Sequence, residues 1–194
     1  MTKIAVFASG NGTNLQAIID AARRGELAAS IELVVCDRPG AYCLTRAREA
    51  GIPYFMFYPR KYPSKAAYEE LILQQLMEAG VEYIVLAGYM RIIGPTLLNA
   101  YPQRIINIHP SLLPSFPGRD AIGQALDAGV PLTGVTIHYV DEGIDTGPTI
   151  AQRPVFIDPG ESKESLEQKI HAVEHELYPQ VLQEIFTQRR VFNA

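Results

Sequence analysis

The sequence predicts an α/β protein built on an open, mostly parallel, twisted sheet with helices on both faces and an antiparallel edge. Short apolar runs alternate four times with helix-like stretches in the first half, which is typical of parallel strands joined by crossovers. The second half departs from this alternation, because two strand-like runs follow each other with little helix between them. Apolar residues make up 47% of the 194 residues, enough to form a packed core in one domain.

The first half contains four predicted strands and the helices between them. The apolar runs that predict buried strands are KIAVFA, IELVVC, PYFMFY and YIVLAG. Helical spacing of apolar residues, with glycine near each end, is found in TNLQAIIDAARRG, AYCLTRAREAG and SKAAYEELILQQLMEAG. This order favours right-handed crossovers and a parallel sheet covered on both faces.

The second half begins with a strand, RIINIH, followed by a proline-rich segment and a helix, AIGQALDAG. The strands LTGVTIHYV and TIAQRPVF come next, before the last long helix. Pro179 lies within that helix, and we expect a kink or break there because proline cannot donate to the helical hydrogen bonds. The dense proline turn also makes Leu113–Pro114 a candidate for a cis peptide bond.

Composition narrows the function classes. The net charge of −4 argues against a nucleic-acid-binding surface, which normally shows a basic stripe. Cys36 and Cys43 are the only cysteines, too few for a disulfide framework and wrongly spaced for a metal knuckle. The first apolar run is too short for a signal peptide or membrane span. We therefore expect a cytoplasmic protein that binds no nucleic acid, membrane or metal.

A glycine-rich loop, SGNGTN, joins the first strand to the first helix. Gly12, Thr13 and Asn14 lie at the start of that helix, where free N–H groups and the helix dipole favour a phosphate. It is no Walker loop, and Leu15 replaces the third glycine of a dinucleotide fingerprint. Asp37 after the second strand keeps a ribose-binding role open. An ordinary strand–helix turn is the alternative.

A second candidate site lies where RIINIH ends. Asn107 and His109 are two residues apart on a strand, so both side chains face the same side. An amide and a protonated imidazole can together stabilise the oxyanion of a tetrahedral intermediate in acyl transfer. The imidazole needs a carboxylate to stay charged, and Asp145 in VDEGIDTGP is the first candidate. A hydrogen-bonded structural histidine remains the alternative.

The other histidines have weaker signals. His138 alternates within TGVTIHYV and is interpreted as structural. His171 and His175 are one helical turn apart, which can suit a metal, but HExxH is absent and no third ligand is apparent.

The motifs together resemble a known family. The stretches ASGNGTNLQAII, VLAGYMRII, NIHPSLLPSFPG and GVTIHYVDEGIDTGPTIAQ are similar to the phosphoribosylglycinamide formyltransferase family, folate-dependent enzymes of purine synthesis. NIHPSLLP alone also resembles methionyl-tRNA formyltransferases and formyltetrahydrofolate hydrolases, and SGNGTN favours the glycinamide family. The resemblance implies a Rossmann-like formyltransferase fold over residues 1–194, with a nucleotide-substrate half at 1–100 and a folate and catalytic half at 101–194.

The resemblance also implies an activity and residue roles. The formyl group of 10-formyltetrahydrofolate, the co-substrate, would pass to the amine of phosphoribosylglycinamide, without a metal. The implied catalytic residues are Asn107, His109 and Asp145. The implied residues for the phosphate-bearing substrate are Gly12, Thr13, Asn14, His171, Ala172, Val173 and Glu174. The implied folate-binding residues are Lys65, Met90, Arg91, Ile92, Ile93, Asn107, Asp141, Glu142, Gly143, Ile144 and Asp145.

Three other functions remain open at this stage. A formyltetrahydrofolate hydrolase would use the same imidazole and carboxylate but release formate. A non-catalytic nucleotide- or folate-binding domain could use the same scaffold without turnover. A nicotinamide-dependent oxidoreductase is disfavoured by Leu15. The chain is expected to act on small molecules as a monomer or homodimer.

Overall fold

Seven strands form one sheet in the computed structural model, which describes residues 1–192. The strands are β1 (Thr2–Ala8), β2 (Ala29–Cys36), β3 (Tyr54–Met56), β4 (Tyr83–Leu86), β5 (Ile105–His109), β6 (Leu132–Tyr139) and β7 (Thr149–Phe156). The helices are α1 (Thr13–Arg23), α2 (Tyr42–Glu49), α3 (Lys65–Glu78), α4 (Pro95–Ala100), α5 (Ala121–Asp127) and α6 (Lys163–Phe192).

The strand order is β3-β2-β1-β4-β5-β6-β7. Neighbouring strands from β3 to β5 are parallel, whereas β6 is antiparallel to both β5 and β7. The predicted fold class, including its antiparallel edge, is confirmed. The chain moves outward from β1 to β3 and then returns to β4 on the other side of β1. Such a reversal opens a crevice at the carboxyl ends of β1 and β4, where ligands of α/β proteins bind.

The described residues form two apolar clusters, one on each face of the sheet. One cluster packs α1, α2, α5 and α6 against the sheet, and the other packs α3 and α4 against it. Alternate residues of β5 divide between them: Ile106 and Ile108 belong to the first cluster and Ile105 to the second. Asn107 and His109 therefore continue the face of β5 that bears Ile105.

Of the kink or break expected at Pro179, the break is not found, because α6 continues through this proline. A proline inside a helix costs about 3 kcal/mol, so packing must offset the loss. Tyr178 is fully buried and donates its hydroxyl to the carbonyls of Leu86, at 2.8 Å, and Ile106, at 3.1 Å. These bonds hold the middle of α6 against β4 and β5.

Three smaller observations complete the fold. The Leu113–Pro114 peptide bond is cis, as predicted. Cys36 and Cys43 are buried free thiols. Within residues 1–192, no helix is both long and apolar enough to cross a membrane.

Candidate active site

A continuous cavity of about 1170 Å³ lies at the carboxyl ends of β1, β4 and β5. It brings together the glycine loop after β1, the loop after β4, the end of β5 and the acidic loop after β6. The predicted site residues that line it are Gly12, Thr13, Asn14, Met90, Arg91, Ile92, Ile93, Asn107, His109, Asp141, Gly143, Ile144, Asp145, His171 and Glu174.

Four predicted site residues do not line this cavity: Lys65, Glu142, Ala172 and Val173. Helical geometry explains the last two, because successive residues of α6 point about 100° apart and, among residues 171–174, only His171 and Glu174 share the cavity face. Val173 packs against the apolar core instead.

The glycine loop is shaped by contacts from α2. Gly12 precedes α1 with φ of 78°, a left-handed conformation that favours glycine. A Cβ at Gly12 would lie 2.7 Å from the Cβ of Cys43, so a side chain there would collide with α2. Arg46 fixes the preceding residue, because its guanidinium donates to the carbonyl and side-chain oxygens of Asn11 at 2.8 and 2.6 Å.

Gly12, Thr13 and Asn14, at the start of α1, line the cavity. None of the described side chains caps this helix. Asn14 instead donates its amide to the carboxylate of Glu174 at 3.2 Å, which connects α1 to α6. Uncapped N–H groups at a helix N-terminus are suited to a phosphate.

Glu174 is a carboxyl group in an apolar setting beside this loop. It is 5% exposed, and this burial raises its pKa above the ordinary value, while charge on His171 and the Asn14 hydrogen bond oppose the rise. A cation or an N–H donor placed against Glu174 would favour the ionised form and gain a strong hydrogen bond.

The imidazole of His109 lies between two oxygens. Its Nδ1 is 3.4 Å from Oδ2 of Asp145, and its Nε2 is 2.9 Å from the carbonyl oxygen of Phe116. Asp145 is held in place because the same Oδ2 accepts from the Gly118 N–H at 2.8 Å. The structure therefore brings the acidic loop to the end of β5, where each ring nitrogen of His109 has an oxygen acceptor nearby.

Asn107 faces a neighbour that sequence reasoning missed. Its Nδ2 lies 3.3 Å from Nε2 of His138, and the same Nε2 lies 3.8 Å from Oδ1 of Asp145. Nδ1 of His138 lies 2.8 Å from the Tyr139 carbonyl, so the hydrogen-bond network assigns the proton to Nδ1 and leaves Nε2 as an acceptor for Asn107. His138 therefore lies within the cluster of Asn107 and Asp145 and lines the cavity, and its interpretation as structural stays a prediction.

The loop after β4 and the acidic loop supply apolar surface. Met90, Ile92 and Ile144 line the cavity although 55, 49 and 55% of their areas are exposed. Such exposed apolar side chains around a cavity are typical of a ligand site.

The carboxylate of Asp141 is bonded within its own loop, because it accepts from the Thr146 hydroxyl at 2.6 Å and from the Gly143 N–H at 3.0 Å. The Thr146 hydrogen bond lowers the pKa of Asp141.

Further charged residues around the site were not predicted. Arg38, Arg119 and Glu167 also line the cavity. Asp37, considered for a ribose, is instead paired with Arg91 at 2.8 Å and buried. Arg38 follows the end of β2, Arg119 lies in the proline-rich segment and Glu167 lies on α6, and these positions do not separate them from ordinary surface residues. Among the described residues, no group of three or more His, Cys, Asp or Glu side chains could hold a metal ion.

The fold and the site define a class: an α/β protein whose cavity holds an amide and an imidazole beside an uncapped helix N-terminus. A sequence profile described as "Formyl transferase" matches residues 2–182. Phosphoribosylglycinamide formyltransferase of Bacillus subtilis (strain 168) is 54% identical over 185 residues, 95% of each chain. The chain belongs to the formyl transferase family.

Solved structures agree with this assignment. Glycinamide ribonucleotide transformylase 1 from Geobacillus kaustophilus superposes with a TM-score of 0.94 at 63% identity, covering 95% of this chain and 98% of the other. Phosphoribosylglycinamide formyltransferase from Bacillus halodurans has a TM-score of 0.94 at 52% identity, with 97% of both chains covered.

Proposed function

We propose that this chain transfers the formyl group of 10-formyltetrahydrofolate to the amine of 5-phosphoribosylglycinamide. The products are formylglycinamide ribonucleotide and tetrahydrofolate, and the reaction belongs to de novo purine synthesis. The observation that carries the proposal is one cavity containing both an uncapped helix N-terminus and the cluster of Asn107, His109 and Asp145. The names of relatives that match over nearly their whole length support the glycinamide ribonucleotide as the formyl acceptor.

The proposed positions of the two substrates follow from the polar and apolar groups that line the cavity. The backbone N–H groups at Gly12, Thr13 and Asn14 bind the phosphate, and Glu174 with His171 lies at the other side of the same substrate. The pterin packs against the apolar wall described above, where Met90–Ile93 face the 141–145 loop. Lys65 lies behind that wall, and its Nζ donates to the Ile92 carbonyl at 2.9 Å.

The proposed mechanism begins when the neutral amine attacks the formyl carbon. Negative charge then develops on the formyl oxygen, where the Asn107 amide and the protonated His109 stabilise it. His109 has two N–H groups in this form, so the oxyanion replaces one of its two present acceptors. His109 or a water relay then protonates the leaving folate nitrogen and takes up the proton that the attacking nitrogen loses, while Asp145 orients the ring.

We also propose that the two halves of the single domain contribute different parts of the site. Residues 1–100 contribute the phosphate loop, and residues 101–194 contribute the catalytic cluster. Both halves supply parts of both sites, because Met90–Ile93 lie in the first half and Glu174 lies in the second. The proposed setting is the cytoplasm, with the protein acting on small molecules as a monomer or homodimer.

The experiment that tests this function follows deformylation of 10-formyltetrahydrofolate with and without phosphoribosylglycinamide. We expect turnover that depends on the amine and produces formylated amine in equal amount. Formate release without the amine would indicate a hydrolase, and ligand binding without turnover would indicate a binding domain. A change in nicotinamide absorbance under any of these conditions would instead indicate an oxidoreductase.

A further inference from the structure

Asp37 is a buried carboxylate that the proposed mechanism does not use. It follows β2 directly and is 5% exposed. Taking a carboxylate out of water is unfavourable unless it is paired and hydrogen-bonded, so its partners indicate what it does.

The partners of Asp37 lie at the ends of two other strands. Oδ1 accepts from the Ser9 hydroxyl at 2.5 Å, at the end of β1, and Oδ2 accepts from Nε of Arg91 at 2.8 Å, beyond β4. The Ser9 oxygen in turn accepts from the backbone N–H of Met90 at 2.9 Å. Through these three bonds, Asp37 fixes both the backbone of residue 90 and the side chain of residue 91.

The far end of the same loop is held by a second buried carboxylate. Glu69 accepts from the N–H groups of Gly94 at 2.7 Å and Leu97 at 3.3 Å, and burial raises its pKa. Together with Lys65 on the Ile92 carbonyl, these bonds restrain the 90–94 segment from its outer side. Asp37 is the restraint on the cavity side, because Arg91 and Met90 both line the cavity.

Arg91 connects Asp37 to the cavity. Its Nε is directed at Asp37, yet 37% of its side chain is exposed. The guanidinium is planar, so fixing Nε also fixes the plane in which the two terminal nitrogens lie. A side chain that is oriented before binding loses less rotamer entropy when a ligand arrives.

We propose that Asp37 is a positioning residue for the folate co-substrate, acting through Arg91 and, by way of Ser9, through Met90. This inference rests on the proposed function. It assigns Asp37 no contact with the reacting atoms: the carboxylate orients the loop against which the folate packs. Loss of Asp37 therefore weakens binding of the folate, whereas the phosphate loop and His109 stay in place.

The test compares Asp37→Ala, Asp37→Asn, Arg91→Ala and the Asp37→Ala/Arg91→Ala double variant. We expect Asp37→Ala to raise KM for 10-formyltetrahydrofolate about tenfold or more, since hydrogen bonds to a charged group are lost. The kcat and the KM for phosphoribosylglycinamide should change by less than about threefold. Asp37→Asn keeps an acceptor oxygen and should therefore raise this KM less than Asp37→Ala does. Glu26→Gln, which breaks the exposed ion pair with Arg24, is the matched control.

The double variant separates positioning from a general loss of structure. If Asp37 acts mainly through Arg91, the double variant should show little more loss than Arg91→Ala alone. Binding of 5-formyltetrahydrofolate, which has the same pterin and glutamate, gives a second readout without turnover. If Asp37→Ala does not fold, Ser9→Ala takes its place, because it removes a contact from both Asp37 and Met90.

Three results would overturn the inference. The first is an unchanged KM for 10-formyltetrahydrofolate in Asp37→Ala, and the second is an equal rise in the KM values for the folate and for phosphoribosylglycinamide. The third is a double variant whose rise in folate KM equals the product of the rises in the two single variants. A wild-type protein that binds 5-formyltetrahydrofolate but forms no formylated amine would refute the proposed function instead. In that case the binding comparison among the same variants still decides whether Asp37 positions the folate wall.

Discussion

The two oxygens that contact His109 come from residues with unusual backbone conformations. Phe116, whose carbonyl contacts Nε2, has φ of 52°, and Asp145, whose carboxylate contacts Nδ1, has φ of 55°. Left-handed backbone at residues other than glycine costs about 1–3 kcal/mol each and often occurs at functional sites. Two such residues around one imidazole indicate that the surrounding structure enforces the position of the ring.

The first prediction concerns this imidazole and its carboxylate. In Asp145→Asn, an amide replaces the carboxylate beside Nδ1 of His109, so the ring loses the group that orients it. We expect kcat to fall about a hundredfold or more in Asp145→Asn and in His109→Ala, as for loss of an oxyanion donor. Binding of phosphoribosylglycinamide, measured by calorimetry, should remain within about threefold. Asp127→Asn, at an exposed aspartate of α5, is the control, and near-normal turnover in either site variant would refute the assignment.

The sequence predicted a cluster of Asn107, His109 and Asp145, but it did not predict that His138 lies beside it. Asn107 and His109 could be paired because residues two apart on a strand share a face, which is local information. His138 lies directly opposite Asn107 in the antiparallel pair of β5 and β6. That register depends on how two distant segments align, and a one-residue slip would turn His138 to the other face. The sequence pattern alone could not predict the register between β5 and β6.

The second prediction uses the pKa of Glu174, which burial raises above the ordinary value. The raised pKa means that the carboxylate becomes protonated at a higher pH than an exposed glutamate as the pH falls. If its charge holds the glycinamide end, KM for that substrate should rise as pH falls through the raised pKa, while KM for the folate stays level. Steady-state kinetics across this pH range provides the measurement.

Glu174→Gln is the matched variant for this pH dependence. It keeps an oxygen for the Asn14 amide but cannot ionise, so its KM for phosphoribosylglycinamide should be higher at neutral pH and level below it. Other titratable groups near Glu174 are His171, His175 and Tyr178. A pH-dependent rise that persists in Glu174→Gln would assign the effect to one of these neighbours.

At the scale of elements, the third prediction concerns the turn from β1 into α1. Gly12 has a positive φ and no room for a Cβ, because Cys43 of α2 lies against it. We expect Gly12→Ala to lower the free energy of unfolding and to raise KM for the phosphate-bearing substrate, since the loop must move away from α2. Chemical denaturation and steady-state kinetics measure the two effects.

Gly25, just after α1, provides the control for this substitution. It has φ of 74°, but a Cβ there would meet no described atom within 4 Å. Gly25→Ala should therefore show only the cost of the left-handed conformation, about 1–2 kcal/mol, with unchanged kinetics. Equal stability losses and equal KM values in the two variants would contradict a loop shaped by contact with Cys43.

The helices and strands were largely predictable, because their signals lie within each segment. Apolar periodicity and terminal glycines located α1, α2 and α3, and a short apolar run located β4. Pro179 shows the limit of local reasoning. Its effect on α6 depended on the burial of Tyr178 and its neighbours, which bind α6 to the sheet and which the segment alone does not reveal.

At the scale of the whole molecule, the sequence predicted a mostly parallel sheet but not the strand order. Nothing in the local pattern places β4 beside β1, yet this adjacency brings the loop after each strand to one cavity. The acidic loop shows the same dependence on the fold. The acidic loop begins beside the start of β5, where the Val140 N–H donates to the Ile105 carbonyl at 2.9 Å. Asp145, later in the same loop, nevertheless reaches His109 at the opposite end of β5.

The last prediction concerns the stability of the whole chain. The proposed substrate would contact α1 through its phosphate and α6 through Glu174, elements already connected by the Asn14–Glu174 bond. A ligand that binds only the folded chain stabilises it by about 2.7 kcal/mol at a hundred times its Kd. For a protein of this size, that corresponds to a rise in Tm of roughly 5–10 °C. Differential scanning calorimetry with phosphoribosylglycinamide measures the shift without any turnover.

Glycinamide riboside, which lacks the phosphate, gives the comparison that makes this shift informative. At the same concentration it should raise Tm far less, because the uncapped N–H groups at the start of α1 then bind no anion. Gly12→Ala should reduce the shift produced by the phosphorylated ligand and leave the small shift from the riboside unchanged. Equal shifts from the two ligands in the wild-type protein would mean that the loop after β1 does not hold the phosphate, whatever the outcome of the formyl-transfer assay.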